Sequence, residues 1–117
     1  MIAGKYDKFR FEQGSTFDPI LTYKNRSTGV PFDFTNYTAR MRFKENIDDE
    51  TPWLELDTET GGITLGGALG TISIYISADD TEAFTILKSY YTLDIINDDV
   101  EPKIYRLLKG SIILSRG

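Results

Sequence analysis

The sequence predicts an all-β protein, a two-layered antiparallel sandwich of about eight strands with one short helical turn. Three observations lead there. Apolar and polar residues alternate in short runs closed by Gly, Pro, Asn and Asp, which is the two-residue period of a half-buried strand. The clearest run is Thr71-Ile72-Ser73-Ile74-Tyr75-Ile76, with the three isoleucines on one face and the polar partners on the other. The chain also has 117 residues, 40% of them apolar, enough for one core in a single domain. No internal repeat or linker divides it.

Taken in order, Tyr6–Glu12 forms a first strand in which Phe9 and Phe11 alternate with charged residues, closed by Gly14. Phe17, Leu21 and Tyr23 share the next inward parity; Pro19, lacking an N–H, makes the start of that run an edge or a bulge. Asn25 to Gly29 is a polar turn. Val30–Phe34 leads through Asn36, which tolerates a left-handed backbone, into a strand over Thr38–Lys44 with Ala39, Met41 and Phe43 inward. Glu45–Glu50 is an acidic loop, and Trp53–Asp57 is a short strand carrying Leu54 and Leu56.

The glycine-rich stretch Gly61–Gly70 holds a short strand around Ile63 and Leu65, then a turn into Thr71–Ile76. Ser77 caps a brief helix over Ala78–Phe84, with Asp79, Asp80 and Glu82 placed where the helix dipole favours anions. Phe84 and Leu87 close the end of the core. Tyr91, Leu93 and Ile95 alternate inward in Ser89–Ile96, and Asn97-Asp98-Asp99 turns the last hairpin. Lys103–Ser115 completes the fold with Ile104, Leu108, Ile112 and Leu114 on one parity; Gly110 marks a bulge or a close backbone approach.

Composition narrows the chemistry. The chain has no histidine and no cysteine, which removes the commonest general base, thiolate catalysis, disulfides and the usual transition-metal ligands. The remaining ionisable clusters are acidic: Asp48-Asp49-Glu50, Asp79-Asp80-Glu82 and Asp98-Asp99-Glu101. Such residues are ordinary in turns and helix caps. A calcium loop of the D-x-[DN]-x-[DN]-G type is missing, so no cofactor or metal is expected, and no enzymatic activity.

A net charge of −5 argues against nucleic acid as the main partner, since phosphate binding needs clustered cations. Arg40, Arg42 and Lys44 nevertheless line the polar side of one strand, as a solvated face or as a seat for an acidic neighbouring subunit. No run approaches the roughly 18 apolar residues of a membrane span. Met1–Arg10 is charged without an apolar stretch, so a secretory route is not expected, and the sequons at Asn25 and Asn36 read as chance. Trp53, Tyr75, Tyr90 and Phe32 fall on outer parities, where rings serve either subunit packing or sugar stacking. The expected contact residues are Arg40, Arg42, Trp53, Tyr75 and Tyr90.

Four collinear segments carry a resemblance. They are Phe11-Glu12-Gln13-Gly14-Ser15-Thr16-Phe17; Gly29-Val30-Pro31-Phe32-Asp33-Phe34-Thr35-Asn36-Tyr37-Thr38-Ala39-Arg40-Met41-Arg42; Gly61-Gly62-Ile63-Thr64-Leu65-Gly66-Gly67; and Arg106-Leu107-Leu108-Lys109-Gly110-Ser111-Ile112. Together they resemble a group of small tailed-bacteriophage virion proteins, and more loosely the amino-terminal domain of phage upper-baseplate proteins. Asn36 stands where that group usually has glycine. The resemblance implies an immunoglobulin-like sandwich built into the tail, baseplate, neck or head surface of a virion made in the host cytoplasm. Its implied partners are other virion proteins in multiple symmetric copies, with no catalytic residues. The alternative function is a carbohydrate-binding module for host-surface recognition, using Trp53 and the tyrosines.

Overall fold

A computed structural model describes residues 9–25, 27–97 and 102–116. Among the described residues eight strands run in the order β1 (Arg10–Glu12), β2 (Ile20–Thr22), β3 (Tyr37–Lys44), β4 (Leu54–Asp57), β5 (Ile63–Leu65), β6 (Thr71–Ile74), β7 (Lys88–Asn97) and β8 (Lys103–Ser115). A 3-10 turn, Gly67–Leu69, separates β5 from β6, and one short helix, α1 (Ala78–Glu82), precedes β7. The strands form two sheets, one ordered β1-β8-β7-β3-β4 and the other β2-β6-β5. The expected all-β sandwich is therefore the fold.

Its core is built by parity. Ala39, Met41 and Phe43 of β3 and Tyr91, Leu93 and Ile95 of β7 point inward from the larger sheet. Ile63, Ile72 and Ile74 meet them from the smaller one, and all nine side chains are buried in one cluster. Phe11, Phe17 and Phe84 fill one end, with the Phe11 ring 4.9 Å from Phe17 and 5.0 Å from Phe84. Edge-to-face geometry of this kind adds to the burial of apolar area.

The connections obey local chemistry. Asn25 Oδ1 accepts from the N–H groups of Ser27 and Thr28 and so turns the chain before Val30. Asn36 adopts the expected left-handed backbone, φ 68°. Ser77 Oγ accepts from Asp80 N at 3.2 Å, the N-cap of α1. The buried Thr81 hydroxyl donates to Ser15 O, which ties α1 to the loop after β1. Gly70 closes the 3-10 turn at φ 70°, where a Cβ would come 2.7 Å from Tyr23 O. Pro19 leads into β2, an edge strand, as its missing N–H requires.

Several expectations are corrected. The sandwich is not wholly antiparallel: β1 pairs parallel to the end of β8, Phe11 opposite Leu114. The chain leaves β1 for the other sheet, where Phe17 bridges Ile76, so β1 has no hairpin partner of its own. β8 does not keep one parity. A bulge opposite Leu93/Asp94 inserts an extra residue, so Leu107 is buried while Ile104 is 54% exposed. Gly110 marks neither that bulge nor a neighbouring backbone; it admits the Tyr91 ring, whose Cε1 would lie 3.1 Å from an added Cβ. Phe84 plugs the core as expected, whereas Leu87 is exposed. The first strand before Phe9 and the turn at Asp98-Asp99 lie outside the described residues.

Candidate interaction surface

The larger sheet packs its inner face on the smaller one, and no element among the described residues covers its outer face. Outward positions follow from register. Arg42 of β3 stands opposite Glu55 of β4 and Thr92 of β7, and Thr92 opposite Lys109 of β8. In the next row Asp57, Arg40, Asp94 and Arg106 stand side by side across the same four strands. Lys44, Tyr90 and Ser111 form the row on one side; Thr38, Ile96 and Ile104 form the row on the other.

Electrostatics organise the middle rows. Arg42 Nε donates to Glu55 Oε2 at 2.7 Å, an ion pair across the sheet edge. Asp94 is 1% exposed despite facing outward, because two arginines cover it. Arg106 Nε donates to its Oδ1 at 3.0 Å, while Arg40 Nε lies 3.6 Å from Oδ2, an ion pair longer than a hydrogen bond. The second carboxylate of that row, Asp57, is spent on its own turn. Its Oδ1 accepts from Thr60 N and Thr60 Oγ1, which holds its pKa below the ordinary carboxylate value. Lys44 and Lys109 have no ion-pair partner among the described residues, and Lys88 sits 5.6 Å from the Tyr90 ring centroid. Tyr90 is 36% exposed beside these cations.

The structure brings three of the five expected contact residues onto this face: Arg40, Arg42 and Tyr90. Tyr75 is exposed but belongs elsewhere, beyond the end of β6, beside a groove of about 560 Å³ lined also by Glu55, Thr60, Asp80 and Phe84. Trp53 is not an outer residue. Its ring packs 5.0 Å from Phe84 and 6.1 Å from Phe43, and its Nε1 donates to the buried Ser89 Oγ at 2.8 Å. Trp53 stands just before β4 rather than in it, so strand parity does not govern its direction. Phe32 likewise packs against Phe34, Tyr23 and Tyr37. The four rings therefore do not assemble into one platform.

Asp94, Arg106 and Lys109 were missed as members of the surface. Asp94 reads as an ordinary outward polar residue of a strand. Its partners sit on two other strands, and the Leu107 bulge is what places Arg106 opposite it. Only the alternation of Arg40 and Arg42 gave a local signal. Among the described residues no group of three or more carboxylates converges as a metal site; Asp98, Asp99 and Glu101 lie outside them. No helix among the described residues is long and apolar enough to cross a membrane. No protein-family model matches the chain, and no curated protein matches it.

Proposed function

We propose that this chain is a non-enzymatic structural component of a tailed-phage virion, an immunoglobulin-like module of the tail, baseplate or neck that holds neighbouring subunits. The supporting observation is the outer face of the β1-β8-β7-β3-β4 sheet. No element of the described chain covers it, and it combines Arg40, Arg42, Lys109 and Tyr90 with the exposed Ile104. Arginine and tyrosine are among the residues enriched at protein interfaces. The four collinear segments that resemble phage virion proteins supply the setting. Association by many symmetric copies sums modest contacts into a stable particle.

The test is compositional. Particles purified from the phage that encodes the chain, analysed by quantitative mass spectrometry, are expected to contain it in a fixed multiple-copy ratio to the other tail proteins. Its absence from washed particles defeats the reading.

A further inference from the structure

We infer that the occupant of the basic sheet face is the acidic end of a second copy of this chain, in a head-to-tail contact. The inference rests on the reading of the chain as an association module and names the partner. Charge is divided unevenly over the molecule. The outward positions of β3, β4, β7 and β8 carry six cations (Arg40, Arg42, Lys44, Lys88, Arg106 and Lys109) against three acids (Glu55, Asp57 and Asp94). The face is thus +3 in a chain of −5, which leaves −8 on the remainder.

Much of that negative charge stands at one end of the sandwich. The loop between β3 and β4 contributes Glu45 and Asp48-Asp49-Glu50, and α1 contributes Asp79, Asp80 and Glu82. The two segments are neighbours, because Trp53 after the loop packs on Phe84 after α1. All of these acids except the half-buried Asp49 are exposed.

Charge complementarity then selects the contact. Two basic faces repel, as do two acidic ends, so a two-fold contact using the same patch on both copies is disfavoured. A basic face against an acidic end is attractive, and every copy carries both. Such a contact uses different patches on its two sides, and repeats into a ring or an open stack.

Sedimentation velocity of the full chain tests this. At about 20 mM salt the Debye length exceeds 20 Å, and at 1 M it is about 3 Å. The expected result is a weight-average mass that rises at least two-fold with concentration at low salt and returns to the monomer at 1 M. The double variant Arg42→Glu/Lys109→Glu on the face, and separately Asp48→Lys/Asp49→Lys on the end, are each expected to stay monomeric. Mixed together they are expected to associate, because the intact end of one variant meets the intact face of the other. Lys109 and Asp48 are exposed and Arg42 and Asp49 half-buried, and circular dichroism checks that both variants fold.

A wild type that stays monomeric at low salt overturns the inference. So does a dimer unaffected by the reversals, or a mixture that fails to pair. Binding of a labelled 20-nucleotide DNA through the same face without self-association overturns it as well. A chain present in particles yet monomeric in these experiments removes the head-to-tail contact and leaves the virion reading standing. Absence from particles removes that reading alone.

Discussion

At the scale of single residues, Asp94 and Trp53 each do something their neighbours cannot replace. Asp94 is buried under Arg40 and Arg106, so Asp94→Asn leaves two guanidinium groups facing each other without their shared anion. Both arginines keep contact with water, which screens part of the effect. A loss of about 1–3 kcal/mol in urea unfolding is expected, and no measurable loss would show that the row contributes nothing. Trp53→Ala empties a site between Phe11, Phe43 and Phe84 and orphans the Ser89 hydroxyl. The expected cost is about 3–5 kcal/mol by the same measurement. Loss of sugar binding in that variant would therefore report unfolding as readily as a lost contact. Asp57 governs part of the acid response. Hydrogen bonds from Thr60 lower its folded pKa, so its contribution is present above the unfolded carboxylate value of ~3.9 and is lost as pH falls through the lower folded value. Asp57→Asn should flatten the stability–pH curve below about pH 4, and an unchanged slope contradicts the assignment.

Elements show where sequence reading succeeds and where it stops. β3 and β7 were legible because each buries one face completely, and alternation reports that burial directly: Ala39, Met41 and Phe43; Tyr91, Leu93 and Ile95. The Ser77 cap was legible for a local reason, since a hydroxyl three residues before an N–H needs no tertiary partner; Ser77→Ala should cost about 1 kcal/mol in thermal or urea unfolding. β8 was half legible. Its even-numbered apolar residues suggest one unbroken stripe, but the chain inserts Leu107 as an extra inward residue and turns Ile104 out. That choice depends on the partner strand: it sets Arg106 against Asp94, and a single strand's pattern contains no trace of Asp94. The parallel pairing of β1 was hidden for the same reason, because it joins opposite ends of the chain. Gly70 lies between these cases. A glycine cluster announces turns, yet only the fold shows that its missing Cβ makes room for Tyr23 O and Pro31. Gly70→Ala combines a left-handed backbone with a backbone clash and should destabilise by at least about 2 kcal/mol. Wild-type stability in that variant would mean that the turn opens freely.

For the whole molecule, the division of labour lies between the two sides of one sheet. The inner side is committed to the core through Met41, Leu93 and Ile95, each fully buried. The outer side carries paired and unpaired charges with Tyr90 and Ile104 at its margins, and nothing in the described chain occupies it. The composition suggests association in general terms; the proposed contact falls on this face because β7, which carries Tyr90 and Asp94, is the middle strand and offers a surface but no free edge. A standard interface buries on the order of 800 Å² per partner, about a tenth of the 7532 Å² this chain exposes. A particle reconstruction at side-chain resolution measures that burial directly. Arg42, Tyr90 and Lys109 are expected to be covered by an adjoining subunit; the same three side chains facing open solvent in the assembled particle would contradict the proposed contact face.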